Sequence, residues 1–249
     1  MAADRDRLVY PGESLDDLIL GGLKVIQPAQ GYRFSLDAVL LAHFARLDKV
    51  KAAVDLGTGS GVIPLLLAFR KETLHITGIE IQPEAADRAR RSVEYNGLAG
   101  CIQIIQGDVK EIHGYLPPGR VDLVVSNPPF WKSGEGRVSR DPSTALARHE
   151  IALDFAGLAR AAFYLLASGG SFTFIHRSER LQDVITVLSQ TRLKLVRMRT
   201  VHSYAHEESR LVLLEAQKNG RQSLKVLPPL IIYDSPGNYG AEIKQWYGS

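Results

Sequence analysis

Four groups of residues in this chain have types and spacings that can do chemistry. The first is Asp55-Leu56-Gly57-Thr58-Gly59-Ser60-Gly61, three alternate glycines that begin as the apolar run Ala52 to Leu56 ends. A glycine-rich turn from strand to helix lets a ligand touch backbone, at the carboxyl end of a parallel strand where open α/β sheets bind ligands. A dinucleotide fingerprint, GxGxxG, would need its third glycine at Val62. The spacing here is GxGxG, with an acid two residues before the first glycine. The second and third groups are single acids: Glu80 near the end of Leu74 to Ile81, and Asp108 just after Ile102 to Gln106. The fourth is Asn127-Pro128-Pro129-Phe130, directly after Val121 to Ser126. Taken singly, an acid is as often a solvated surface charge, and two prolines after a buried strand only terminate it. Their order, one group after each successive strand, makes them a series.

D-x-G-x-G-x-G resembles the first motif of class I S-adenosylmethionine-dependent methyltransferases. That ligand has no pyrophosphate for a helix N-terminus to cradle. The resemblance implies that its methionine end packs on Gly57, Gly59 and Gly61, with Asp55 supplying negative charge near a sulfonium and an ammonium. Glu80 then accepts from the ribose hydroxyls, a role such acids also play for NAD. Asp108 accepts from the adenine amino group. The implied cofactor site extends to Ile81, Val109 and Asn127.

Asn127 to Phe130 resembles the (N/D)PP(Y/F/W) motif of methyltransferases acting on planar nitrogen, either nucleobase amines or glutamine amides. An sp² amino nitrogen is a poor nucleophile because its lone pair is delocalised. Accepting hydrogen bonds from both its N–H groups draws density back onto nitrogen. Asn127 offers its side-chain oxygen and Pro128 its backbone carbonyl, whose direction the prolines lock. Phe130 offers a ring on which a flipped base stacks. No strong base is required, since the product cation sheds its proton readily. Positioning carries most of the rate, on the scale of roughly 7–11 kcal/mol.

Among planar-nitrogen enzymes, only about 50 residues precede the glycine turn, too few for the helical domain of glutamine methyltransferases. A target-recognition domain of the DNA adenine type has no room either. The segment Gly31-Tyr32-Arg33-Phe34-Ser35-Leu36-Asp37-Ala38-Val39-Leu40-Leu41-Ala42 resembles one typical of the bacterial YfiC-like group, tRNA adenine-N6 methyltransferases acting beside the anticodon of valine tRNA. Ala147-Arg148-His149-Glu150 and Asn238-Tyr239-Gly240-Ala241-Glu242-Ile243 match the same group, except that Gly240 stands where a threonine is expected. The resemblance covers most of residues 20 to 245 and implies a tRNA partner. It implies that the helix opened by Phe34 to Asp37 lies over the methionine end, with Phe34 packed there and Asp37 near its charge. An ordinary core helix capped by Ser35 is equally compatible with that segment. The motifs also fit guanine-N2 methylation of rRNA, or a non-catalytic RNA-binding protein that keeps the fold.

The elements that must hold these groups form a regular rhythm. Short apolar runs (52–56, 74–81, 102–106, 121–126, 170–176) alternate with helical segments (62–70, 83–96, 154–167, 179–190). Pro83 and Gly97 stand where helix ends favour them. This alternation predicts an α/β fold, a mostly parallel seven-stranded sheet with helices on both faces. The last two runs, Leu193 to His202 and Arg210 to Ala216, lie too close for a crossover and form an antiparallel hairpin at one edge. Residues 1–50 read as an extension, a hairpin plus a helix, packed on a methyltransferase domain of residues 51–249. Leu36, Val39, Leu40 and Phe44 form that helix's apolar stripe.

Two segments are candidate substrate contacts. Residues 131–150 carry Lys132, Arg137, Arg140 and Arg148 against Glu135, Asp141 and Glu150, and read as a substrate loop or a solvated one. Residues 192–225 hold eight Lys or Arg against three acids, and Arg197 and Arg199 either track RNA phosphates or solvate an edge strand. His149 reads as a helix-entry residue or a substrate contact, with the structural reading preferred.

Composition sets the outer bounds. The 249 residues are 45% hydrophobic and 23% charged, ordinary for a globular domain and unlike a disordered chain, collagen or coiled coil. The longest apolar run, Val62 to Phe69, is too short for a membrane span, which needs about 20 residues. The polar first ten residues hold no signal-peptide core. One cysteine, Cys101, excludes an internal disulfide and favours a reducing, cytoplasmic setting. The seven histidines show no HxH or HExxH spacing, so no metal is expected. A net charge of +3 permits nucleic-acid binding without demanding it. The oligomeric state stays open.

Overall fold

Ala52–Leu56 and Val121–Ser126 carry apolar residues on both faces, as strands covered by helices on each side do. A computed structural model describes residues 6–18, 20–30, 33, 35–128 and 155–247. The elements are β1 (Glu13–Asp17), β2 (Lys24–Pro28), α1 (Leu36–Phe44), β3 (Ala52–Leu56), α2 (Val62–Arg70), β4 (His75–Glu80), α3 (Pro83–Tyr95), β5 (Ile102–Gln106) and β6 (Val121–Ser126). After the undescribed segment come α4 (Phe155–Leu165), β7 (Leu166–Arg177), α5 (Leu181–Gln190), β8 (Leu193–His202) and β9 (Leu211–Lys218). Short strands β10 (Lys225–Val226), β11 (Leu230–Ile231), β12 (Tyr233–Ser235) and β13 (Asn238–Tyr239) lead to helix α6 (Ala241–Trp246). The main sheet runs β10-β8-β9-β7-β6-β3-β4-β5, with β11 also paired to β8.

Strands β3 to β7 pair in parallel and β9 lies antiparallel between β7 and β8. This is the mostly parallel sheet with an antiparallel strand toward one edge that the alternation predicts, with one addition. The hairpin does not end the sheet, because β10 and β11 add short parallel pairs to the outer side of β8. Helix α4 also stops earlier than its apolar pattern, at Leu165, and Leu166 already bridges to Val121. Regular pairing resumes only at Ser171, after Gly169 turns the chain at a φ of 83°.

Two apolar cores flank the sheet. One joins Val39 and Leu40 of α1, Leu65 and Leu67 of α2, Ala86 and Ala89 of α3 and Ile243 of α6. The other joins Leu158 and Ala162 of α4, Val184 and Leu188 of α5, and Ile112 of the 3₁₀ turn Val109–Gly114. The first core reaches Leu18 and Val25 around the β1–β2 hairpin, so residues before and after 50 share one interior. Helix α3 also meets the β1–β2 hairpin along the edge of β2 that no described strand pairs. Ile26 N–H donates to Ser92 Oγ at 2.9 Å, Lys24 N–H donates to Asn96 Oδ1 at 2.9 Å, and Arg91 clasps Glu13 at 2.6 and 2.7 Å. A sheet edge satisfied by side chains cannot recruit another strand.

Candidate active site

The glycine turn has the shape its composition suggests. Gly57, Gly59 and Gly61 all have positive φ, at 79°, 56° and 85°. Residues with a Cβ rarely adopt that region, so an alanine at any of the three is strained. The backbone N–H groups of Gly57 and Thr58 both donate to Ile79 O, at 2.9 and 3.0 Å, which fastens the turn to the end of β4. A Cβ built on Gly57 or Gly59 would meet nothing within 4 Å, so the space above the turn is open to a ligand. At Gly61 it would lie 3.3 Å from Ala89 Cβ, so that glycine also lets α3 approach.

Glu80 is the hinge of this arrangement. Its carboxylate accepts from Gly59 N–H at 2.8 Å and from Gln82 N–H at 2.9 Å. It is only 6% exposed, and burial raises its pKa while those two N–H donors oppose the rise. Each oxygen holds one backbone donor and keeps a further lone pair, which suits a pair of ligand hydroxyls. The next residue, Ile81, is 37% exposed, a bare apolar side chain beside the carboxylate. Asp108 caps the 3₁₀ turn, Oδ1 accepting from Lys110 N–H at 2.8 Å, and Oδ2 takes no bond among the described residues. Val109 turns its side chain into the second core, so only its backbone can face a ligand.

Asp55 is fully buried, and neither of its oxygens has a hydrogen-bond partner of ordinary geometry among the described residues. Burial pushes its pKa up to about 7; Thr58 lowers it a little and the like charge of Glu80 adds to the rise. Buried carboxylates are normally satisfied. An orphaned one beside an open glycine turn fits a cationic ligand, the charge S-adenosylmethionine would bring. Asp37, in the first turn of α1, also has its pKa raised by burial. Ser35 stands at the N-cap of α1 but makes no side-chain cap, and α1 is buried around most of its surface rather than along one stripe.

The end of β6 lies beside that of β3. Ser126 is buried and donates from Oγ to Leu56 O at 2.7 Å, stitching the strand that carries Asn127 to the one that carries the turn. Asn127 is half-buried, Pro128 is buried, and the Asn127 amide makes no hydrogen bond to another described residue. An unspent amide at a strand end can accept from an amine. Sequence reasoning passed over Ser126, and over Gly78, where a Cβ would come within 2.9 Å of the Thr58 side chain. A glycine inside a strand marks such a close approach, and that signal was present.

Phe34, Pro129, Phe130, Lys132, Arg137, Arg148 and His149 lie outside the described residues. Arg197 and Arg199 do not fit the expected role of an outward-facing phosphate track. Arg197 donates to Glu215 at 2.7 Å and to Phe44 O at 2.5 Å, and its guanidinium lies 3.9 Å from the Phe44 ring centroid. Arg46 also pairs with Glu215, which is 1% exposed. Arg199 grips Glu242 of α6 with two bonds of 2.6 Å. Arg197 is spent on the buried Glu215, and Arg199 on Glu242, a carboxylate that is itself partly exposed. Among the described residues no group of three or more His, Cys, Asp or Glu could hold a metal ion, and no helix is long and apolar enough to cross a membrane.

Residues 36–185 match the family described as the methyltransferase small domain. A Porphyromonas gingivalis protein named tRNA1(Val) (adenine(37)-N6)-methyltransferase is 32% identical over 218 residues, 84% of this chain and 85% of that protein. A Proteus mirabilis protein of the same name is 28% identical over 213 residues, 84% and 83% of the two chains. Among solved structures, a predicted O-methyltransferase from Agrobacterium tumefaciens superposes with a TM-score of 0.69 at 24% identity, over 85% of this chain and 95% of that one.

Proposed function

Since the chain belongs to the methyltransferase small-domain family, we propose that it transfers a methyl group from S-adenosylmethionine to the exocyclic N6 of an adenine in tRNA, the adenine 3′ of the anticodon of valine tRNA. The observation that carries this is the stitch between Ser126 and Leu56. It sets an unspent asparagine amide and a proline carbonyl beside an open glycine turn. The relatives named for this reaction align with most of the chain.

S-adenosylmethionine supplies an electrophilic methyl on a cationic sulfur. Glu80 would hold the ribose hydroxyls, Ile81 and Asp108 would receive the adenine ring and its amino group, and Gly57 and Gly59 leave room for the methionine end. Asp55 would balance the positive charge of the sulfonium. Asn127 Oδ1 and the Pro128 carbonyl accept from the two N–H groups of the target amine. This localises the nitrogen lone pair toward the methyl carbon. The N–C bond forms as the S–C bond breaks, and the methylated amine then releases one proton to solvent. The two acceptors act on charge that develops during transfer, so they favour the transition state over the ground state. A tRNA substrate implies a cytoplasmic setting.

The test is nucleoside mass spectrometry. Unmodified valine tRNA transcript, incubated with the protein and S-adenosylmethionine, is expected to yield N6-methyladenosine. N2-methylguanosine from rRNA, with no N6-methyladenosine from tRNA, would overturn this reading.

A further inference from the structure

Loss of Arg197 and Arg199 as phosphate contacts leaves open which surface receives RNA, and strand directions point to one. β6, β7 and β8 run the same way, so the rim that carries Asn127 also carries the end of β7, the end of β8 and the loop into β9. Ser126 pairs with Phe174, and Arg177 pairs with Leu211. Arg177 therefore lies one strand from the β6 end and two residues beyond the level of Asn127, roughly 5 Å sideways and 7 Å upward. Next to it, Ser178 N–H donates to Arg210 O at 3.0 Å, so Arg210 continues the rim. Arg210 is exposed, and among the described residues its guanidinium makes no ion pair. Arg177 is partly exposed and pairs with Glu179 at 3.3 Å.

Beyond the arginines the rim turns aromatic. Tyr204 stacks on His206 with centroids 5.8 Å apart and planes 21° apart. Tyr204 leans on Tyr233 at 5.7 Å, and Tyr233 stacks on Tyr239 at 5.3 Å and 13°. His206 ends this ladder and is exposed. An exposed terminal ring of this kind is one on which a base can stack. Cations that track a backbone, followed by rings that receive bases, are the signature of a single-strand nucleic-acid surface. We propose that this rim, from Arg177 and Arg210 to His206 and Tyr204, holds the single-stranded loop nucleotides that flank the target base. Arg210 contacts a phosphate and His206 receives a stacked base. The proposal rests on the RNA-methyltransferase reading above.

Valine tRNA transcript, fluorescently labelled, is titrated with wild type, Arg210→Glu and His206→Ala at several salt concentrations. Cofactor affinity and thermal melting are measured alongside. Both side chains are exposed, so melting and S-adenosylmethionine affinity should match wild type. Arg210→Glu should weaken tRNA binding at least tenfold at low salt and reduce the magnitude of the log–log salt slope by about one. His206→Ala should weaken it by about 5- to 100-fold with the salt slope unchanged. Wild-type affinity in both variants, with a wild type that methylates the transcript, overturns the rim and leaves the methyltransferase reading standing. A wild type that neither binds nor methylates any tRNA overturns both. If a Tyr204→Ala variant, titrated in the same way, is the only one to weaken binding, and with a lowered melting temperature, the ladder is packing for the C-terminal segment and the proposal fails.

Discussion

Replacing Asp55 by asparagine should change how many protons the protein releases when it binds S-adenosylmethionine. Asp55 is wholly buried, has no hydrogen-bond partner of ordinary geometry among the described residues, and burial pushes its pKa up to about 7. At pH 7 roughly half of the free protein then carries a proton on it, and at pH 6 about nine-tenths does. A cation bound above the turn favours the carboxylate. Binding should therefore expel roughly half a proton at pH 7 and close to one at pH 6. Glu80, also raised by burial, adds a smaller release that the asparagine variant keeps. Calorimetric titrations in phosphate and in Tris give the number directly, because the observed heat varies with buffer ionisation enthalpy in proportion to protons released. Asp55→Asn should lower that number by about 0.5 at pH 7. The same carboxyl makes a second statement. Its folded pKa lies above the unfolded value of 3.8. Its contribution to stability is thus fully present below about 4 and is lost as pH rises through about 7. A rise of about three units corresponds to roughly 4 kcal/mol at most. Urea melts of the ligand-free protein should weaken from pH 5 to pH 8 in wild type, and less so in Asp55→Asn. Equal proton release by the two proteins at both pH values would refute the placement of Asp55 beneath a cation.

Three further outcomes follow from the geometry. Glu80→Ala removes the anchor of Gly59 N–H as well as a ligand acceptor, so it should cost about 1–3 kcal/mol of stability and at least tenfold in cofactor affinity; denaturant melts and calorimetry read the two separately. Asn127→Ala should cut single-turnover methylation by about a hundredfold or more and leave cofactor affinity intact, whereas Asn127→Asp, which keeps an acceptor, should retain partial activity. Arg197→Ala takes one guanidinium from buried Glu215 but leaves it Arg46, so it should lower stability by about 1.5–3 kcal/mol in denaturant melts and leave the salt slope of tRNA binding unchanged.

What the sequence alone determined about this protein is what local chemistry dictates. Three alternate glycines announce a turn with positive φ, because φ is a property of the residue itself. The alternation of short apolar runs with helical segments announces a mostly parallel sheet, because a parallel pair needs a crossover. The acids after successive strands and Asn127 after β6 fall at one end of that sheet for the same reason. Tertiary structure decided the partners of long polar side chains. Arg197 looked outward in a strand of alternating charge, yet its anion, Glu215, sits 18 residues on, and the anion of Arg199, Glu242, is 43 residues on. No spacing within the strand encodes either partner. Nor does the sequence show that Asp55 is buried without a well-formed hydrogen bond among the described residues, that Ser126 reaches Leu56, or that Arg210 and His206 share a rim with Asn127. Those facts depend on which strands become neighbours and in what register. A side chain that reaches several ångströms finds its partner only after the chain has closed.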